Sequence, residues 1–564
     1  MLRRAVLPLS LLLLLNLTWS ALGGNDPTRV RNAMVVSQSA IASQVGADVM
    51  QEGGNAVDAA VATAFAMAVT HPTAGNIGGG GFLVFRPAEG EPTAFNFREK
   101  APAAAHPEMW LNENGEYDYQ RHHESHKAVG VPGTVAGLYL AWKTHGKLPW
   151  KRLVEPAVLL AADGFVVGDG LERTLKGEID RFKKYPASLA QFTKNGEPYL
   201  AGDVLKQPDL AKTLERIRDQ GPAGFYEGET AELLVKEMEA NGGLITLEDM
   251  KGYAAQQCQP LTGKYRGYDV IGMPPPSSGG VGVIEMLNIL EGYDIRSAGS
   301  GSALNLHRMA EAMRRSYADR AQHLGDPDFN PDMPVKELIS KEHAAELRKT
   351  IDESKASVST PESFEWAYES DETTHFSVVD ADRNAVSMTY TLEYAYGSAI
   401  TVPGAGFILN NEMGDFNAGP GLTTAGGLIG TKPNLALPQK RMLSSMSPTI
   451  IAKDGELFMV TGSPGGRTII NTVLQTILNV VDHKMNAQEA VDAGRIHHQW
   501  LPSRIMYEHQ GFSPDTLAIL RDMGHELYRN NKQGTAEVIV VDAKSGHLEG
   551  GLDRRRPDGG AAGY

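Results

Sequence analysis

The sequence predicts a layered mixture of helices and strands around a mostly antiparallel sheet core. Two observations carry this. Stretches with strand-like alternation and stretches with helical spacing occur on both sides of one polar linker, with no internal repeat or low-complexity tract. The linker, Asp352 to Glu372, is rich in Ser, Glu and Asp and has little apolar periodicity. Directly after it a β-type alternation begins abruptly, at Thr373-Thr374-His375-Phe376-Ser377-Val378-Val379-Asp380.

Taken in order, residues 1–23 have the pattern of a secretory signal. Arg3 and Arg4 precede a leucine-rich run to Leu17, and Ser20, Ala21 and Gly23 offer small residues for cleavage, expected after Gly23. The alternative is an uncleaved anchor, but Pro8, Asn16 and Thr18 interrupt the apolar run and leave it short for a span. Met34 to Ser43 reads as strand then turn. Ala47 to Val69 reads as a helix interrupted near Gly53-Gly54-Asn55, and Phe82 to Phe85 as a strand. The region from Leu148 to about Thr350 reads as mainly helical, with helices at Leu153–Asp163, Leu210–Gln220, Glu232–Ala240, Ile284–Leu290 and Leu304–Ala321. Beyond Thr373 the expected strands are Phe376–Asp380, Ala385–Tyr390, Thr449–Ala452, Leu457–Thr461 and Val538–Val541. Helices at Asn471–Asp482 and Asn486–Ala493 lie among them.

Composition narrows the function. The chain has 564 residues, enough for a large core, and 53 basic against 68 acidic side chains give a net charge of −15. That excess argues against a nucleic-acid partner, although a local arginine can still receive a small anion. Cys258 is the single cysteine, so no internal disulfide forms, and it reads as a small semi-buried residue. Asn76-Ile77-Gly78-Gly79-Gly80-Gly81 lacks the Gly-Lys-Ser/Thr ending of a P-loop and the helix of a dinucleotide fingerprint, so it predicts close backbone packing. His122-His123-Glu124-Ser125-His126 is not His-Glu-x-x-His, and His497-His498 would point apart in a strand; neither predicts a metal site.

The chemistry starts at Thr373. A cut between Glu372 and Thr373 would leave a hydroxyl and a free α-amine on one residue, and the amine can deprotonate the hydroxyl. On these eight residues alone, two β-branched residues opening an ordinary strand are the stronger reading, and the segments below reverse it. An attacking hydroxyl also needs donors for the oxyanion. Thr461-Gly462-Ser463-Pro464-Gly465-Gly466-Arg467 ends a strand and opens a helix, placing the amides of Gly465 and Gly466 at a helix N-terminus. Arg441-Met442-Leu443-Ser444-Ser445-Met446-Ser447-Pro448 clusters hydroxyls suited to a carboxylate. Asn410-Asn411-Glu412-Met413-Gly414-Asp415-Phe416 sets two acids three residues apart, which suits an ammonium group.

With these segments the chain resembles the γ-glutamyltransferase (glutathione hydrolase) family. Phe97-Arg98-Glu99, Val131-Pro132-Gly133-Thr134-Val135, Pro274-Pro275-Pro276-Ser277-Ser278-Gly279-Gly280, Tyr317-Ala318-Asp319-Arg320 and the tail Ala562-Gly563-Tyr564 follow the same family order. The resemblance implies an α+β, four-layer αββα sandwich of the N-terminal-nucleophile hydrolase type. Two fragments of one precursor would form it, the large subunit at 24–372 and the small at 373–564. It implies Thr373 as nucleophile, first in self-cleavage after Glu372 and then on a γ-glutamyl amide. Thr391 would support its amine, and Gly465 and Gly466 would form the oxyanion pair. Arg98, with Ser444 and Ser445, would hold the substrate α-carboxylate, and Glu412 and Asp415 the α-ammonium.

The sequence departs from the family pattern at two places. Position 393 is Glu where well-known members carry Asn in contact with the head group; Glu393 accepts from an ammonium but repels a nearby carboxylate. Gly419 to Lys440 resembles the family's lid loop, yet it is rich in glycine (Gly426, Gly427, Gly430) and lacks the tyrosine that walls off the pocket in some bacterial members. A looser lid favours water or bulkier leaving groups. The expectation is therefore a secreted or periplasmic, self-processing γ-glutamyltransferase/hydrolase acting on glutathione and related compounds, with water, amino acids or peptides as acceptors. It requires no metal or organic cofactor and keeps no membrane span after signal removal. The rivals are a glutaryl-type cephalosporin acylase or poly-γ-glutamate depolymerase on the same scaffold, and a non-catalytic solute-binding protein of the envelope.

Overall fold

A computed structural model of the chain describes residues 25–360, 373–422, 424 and 430–564. The predicted signal, Glu372 with the second half of the linker, and Gly426 and Gly427 of the predicted lid lie outside the described residues.

Two seven-stranded sheets form the centre. The first runs, edge to edge, Gly560–Gly563, Met34–Ser37, Thr374–Val379, Ala385–Thr391, Gly80–Arg86, Thr93–Phe97 and Gln256–Cys258. The second runs Thr28–Val30, Leu548–Leu552, Glu537–Val541, Glu456–Gly462, Thr449–Lys453, Tyr268–Gly272 and Leu261–Tyr265. Pairings within both are antiparallel. Each sheet mixes strands from before and after the linker, so neither half of the chain completes a sheet alone.

Because side chains alternate along a strand, each strand of the first sheet feeds two cores. Val35, Leu83, Phe85, Phe376 and Val378 pack against the helices Ala40–Gln51, Ala56–Thr70 and Trp150–Asp163. Met34, Val36, Phe82 and Val84 face Ile450, Val460 and Val538 of the second sheet. That core continues to the helices Gly279–Leu290, Ala303–His323 and Thr468–Val481 on the far side. The result is the expected αββα sandwich. The Ala56–Thr70 helix is buried all round, and its start is held by a reciprocal cap between Asn55 and Asp58.

Several local expectations change. The second part of Met34–Ser43 is not a turn but the start of the Ala40–Gln51 helix, capped by Ser39 Oγ accepting from the Ala42 amide. The region read as mainly helical contains the hairpin Leu261–Tyr265/Tyr268–Gly272. The described part of the linker is pinned rather than loose. Ala356 N donates to Met523 O at 2.7 Å, Ser357 N to Glu311 Oε1 at 3.1 Å, and His307 Nε2 to Asp352 O at 2.8 Å. The glycine cluster packs as expected: a Cβ on Gly79 would lie 2.0 Å from the Thr391 carbonyl oxygen. Cys258 is partly buried, and burial pushes its thiol up to about 11, which suits an inert thiol. No helix among the described residues is long and apolar enough to cross a membrane.

Candidate active site

The strand Thr374–Val379 pairs with Ala385–Thr391, with Thr374 opposite Tyr390, so Thr373 arrives beside Thr391. Thr373 is buried, and its Oγ1 lies 3.4 Å from Thr391 Oγ1. Thr391 Oγ1 in turn accepts from the Glu393 amide at 2.8 Å and hydrogen-bonds the Glu412 carboxylate. The threonine expected to support the nucleophile is therefore also tied to the expected ammonium site.

Arg98 follows the strand Thr93–Phe97 into the interior and is fully buried. Its Nη1 pairs with Glu412 and its Nη2 with Asp415, while Glu99 Oε2 lies 3.3 Å from Nη1. Its Nε donates to the Met442 carbonyl at 3.3 Å and Nη2 to that of Leu443 at 3.4 Å. The residues predicted to hold opposite ends of a zwitterion thus meet directly. Burial pushes the Glu412 carboxyl up to about 8 against the pull of Arg98, and Glu99 up to about 7. Arg98 is held above its ordinary value by these acids and stays charged.

Ser444 and Ser445 follow immediately. Ser444 Oγ accepts from the Met446 amide at 3.1 Å, which leaves its own proton to donate. Ser445 Oγ accepts from Arg320 Nη2 at 3.0 Å, and Arg320 Nε donates to Ser278 Oγ at 2.7 Å. Ser278 Oγ and N both donate to the Ser444 carbonyl, at 2.7 Å each. Arg320 and Ser278 thus buttress the serine pair. Sequence reasoning quoted both in family motifs without giving either a role, because nothing in their spacing tied them to Ser445.

Gly465 and Gly466 have φ of 127° and 51°, which glycine adopts without strain. They immediately precede the Thr468–Val481 helix, whose amides Thr468 and Ile469 donate back to their carbonyls. A Cβ on Gly462, three residues earlier, would lie 2.3 Å from the His375 ring, which locks this strand end against the strand that carries Thr373. His375 is not poised as a base. Burial holds its imidazole down to about 3, and its nitrogens face Thr389 Oγ1 at 2.8 Å and Ser377 Oγ at 3.1 Å.

Glu393 is buried at φ 79°, with Oε1 3.2 Å from His123 Nδ1. A Cβ on Gly414, between Glu412 and Asp415, would lie 2.6 Å from both Glu393 oxygens. Glu393 therefore stands against the acid turn. His123, to which the sequence assigns no site role, lies in the short helix Tyr119–His123 and contacts Glu393 directly.

Two groups among the described residues bring three metal-type ligands together, and neither was predicted. In His307–Glu311–His525, Glu311 is already bonded by Arg314 and Arg315. In Glu285–Asp319–His343, His343 Nε2 stands 2.8 Å from Asp319 and 3.6 Å from Glu285, and the hydrogen bond to Glu285 raises it to about 9. Both groups are accounted for by internal ion pairs.

An αββα sandwich with a buried threonine opening a central strand is the fold of N-terminal-nucleophile hydrolases. The chain belongs to the γ-glutamyltranspeptidase family, whose model matches residues 42–564. It is 48% identical over 544 residues to the glutathione hydrolase proenzyme of Escherichia coli (strain K12), covering 95% of this chain and 93% of that one. Among solved structures, the cephalosporin acylase from Bacillus halodurans aligns with a TM-score of 0.84 at 26% identity, over 97% of this chain and 98% of that one. The γ-glutamyltranspeptidase of Helicobacter pylori aligns with a TM-score of 0.55 at 46% identity, over 55% of this chain and 89% of that one.

Proposed function

We propose that the protein is an exported, self-processing γ-glutamyltransferase/glutathione hydrolase whose nucleophile is Thr373. The observation that carries this reading is the unbroken line Thr373–Thr391–Glu412–Arg98, which joins a candidate nucleophile to a candidate head-group pocket.

In maturation, Thr373 Oγ attacks the carbonyl of Glu372, the peptide bond passes to an ester, and water hydrolyses it. The products are a Glu372 carboxylate and a free Thr373 amine, with 24–372 and 373–564 remaining in one sandwich. In turnover that amine takes the hydroxyl proton as Oγ attacks the γ-carbonyl of the substrate. The amides of Gly465 and Gly466 stabilise the oxyanion, and the α-ammonium protonates the leaving amine. Water or an amino acid or peptide then resolves the γ-glutamyl ester. The substrate α-carboxylate replaces an acid partner of Arg98, with Ser444 and Ser445 donating, while its α-ammonium takes up Glu412 and Asp415. Exchanging internal ion pairs for equivalent ones with the substrate keeps the buried charges compensated.

Similarity to a cephalosporin acylase keeps a second amide substrate in view. A glutaryl chain has no ammonium for Glu412 and Asp415, so the pocket favours the amino-acid head. Turnover of a γ-glutamyl anilide against its glutaryl counterpart tests this. Faster turnover of the γ-glutamyl compound supports the reading, and faster glutaryl turnover replaces it with an acylase.

A further inference from the structure

Tyr117, His122 and His123 form a hydrogen-bonded bridge between the two walls of the proposed head-group pocket. Glu393 Oε1 lies 3.2 Å from His123 Nδ1, and His123 Nε2 lies 3.2 Å from Tyr117 Oη. Tyr117 Oη lies 3.0 Å from His122 Nδ1, and His122 Nε2 lies 3.0 Å from the carbonyl oxygen of Met413. Met413 sits inside the Glu412–Asp415 turn. The bridge therefore begins at one expected head-group contact and ends on the backbone between the other two.

Counting protons settles its direction. A carbonyl oxygen only accepts, so His122 carries its proton on Nε2 and leaves Nδ1 as an acceptor. Nδ1 takes the single proton of Tyr117. The Tyr117 oxygen then accepts from His123 Nε2–H, and His123 Nδ1 is left as a lone pair facing Glu393. Four links need four protons; two neutral imidazoles and a phenol supply three. With Glu393 ionised, two acceptors would face each other at 3.2 Å.

We propose that Glu393 is a neutral carboxylic acid whose O–H donates to His123 Nδ1, the first link of a one-way chain ending on the Met413 carbonyl. Rings and charges around it agree. His123 packs between Tyr119 and Tyr394, and His122 stacks on Trp110. Burial holds both imidazoles neutral, His123 down to about 3. The acids nearby are Glu412 and Asp415, on the turn against which Glu393 lies, and Arg98 hydrogen-bonds both. An ionised Glu393 there would be repelled by the Asp415 carboxylate. The inference rests on the pocket reading above and deepens it. His123 is a positioning residue, and Glu393 offers the head group a neutral acceptor in place of the amide the family resemblance leads one to expect. An α-carboxylate beside it is then not repelled.

The test uses the processed full-length protein at pH 7. Two-bond 15N–1H spectra of labelled histidine should show His122 and His123 both as Nε2–H tautomers. The infrared difference between wild type and Glu393→Gln should contain a protonated-carboxyl C=O band. A His123 carrying its proton on Nδ1, or on both nitrogens, beside an ionised Glu393 overturns the proposal. Should Glu393→Gln not fold, Tyr117→Phe serves. It removes the middle of the chain, so both histidine tautomer signals and the acid band should move, and unchanged spectra overturn the proposal. These spectra report the proton whether or not Glu393 touches substrate. An acid band that a bound γ-glutamyl analogue leaves unmoved would count against the pocket reading alone.

Discussion

Thr373 Oγ1 stands 3.4 Å from Thr391 Oγ1, at the end of the strand pair that sets Thr374 opposite Tyr390. The second hydroxyl accepts from the first and hydrogen-bonds Glu412; in the proposed mechanism it would orient the nucleophile and link it to the head-group pocket. Thr391→Ala should lower kcat by at least about 100-fold, the scale of a lost proton-handling partner, and should slow fragment formation. Thr391→Ser should restore most of both, as read by an anilide assay and a denaturing gel.

Arg98 is buried among three acids, so its loss acts on binding and folding separately. Arg98→Lys keeps the charge but loses the fork. KM for a γ-glutamyl anilide should rise about 10- to 100-fold, the equivalent of one or two charge-assisted hydrogen bonds, with a smaller change in kcat. Arg98→Met leaves the acids unpaired and should destabilise the fold by about 3–5 kcal/mol, measured by denaturant unfolding.

The pH profile follows from Glu412. Burial raises its carboxyl to about 8, so it is protonated below that pH and pairs with a substrate ammonium only as pH rises through it. The α-amine of a processed Thr373, with an ordinary value of about 7.7–8.0, must also lose its proton to act as base. Thus kcat/KM should climb from pH 6 to beyond pH 8 and fall only when the substrate's own ammonium deprotonates. Glu412→Gln should remove one of the two rising ionisations, which a shallower acid limb would reveal.

Gly462 packs the strand end before the proposed oxyanion turn against His375. Gly462→Ala would set a Cβ 2.3 Å from the imidazole, so the strand end must shift. The expected cost is about 1–3 kcal/mol of stability, with kcat reduced more than KM because the donors at Gly465 and Gly466 move with the turn.

Local chemistry made much of this legible. Alternation after Thr373 placed the central strand pair, and Ala/Val spacing broken at Gly53-Gly54-Asn55 marked the Ala56–Thr70 helix. Helix starts were read late wherever glycines or small residues opened them. Gly279 and Gly280 open the Gly279–Leu290 helix where the Ser447 side chain and the Met273 backbone press too close for a Cβ. The Ala40–Gln51 helix was read only from Ala47 onward; its first turns were missed, although Ser39 offered a capping signal. The hairpin Leu261–Gly272 looked like more helical territory because its long-range partner, Thr449–Lys453, lies far along the chain. At the site, the charged residues were legible as chemical types. The bridge through His123 and Tyr117 was not, since only the folded loop brings an imidazole to Glu393.

The most direct measurement is Edman sequencing of the smaller fragment from active protein, beside a denaturing gel of Thr373→Ala. A small fragment whose first residue is Thr373, and a mutant that stays one inactive chain, is the result this mechanism requires. An active protein with no new terminus at that residue, or a mutant that still splits there, would contradict it.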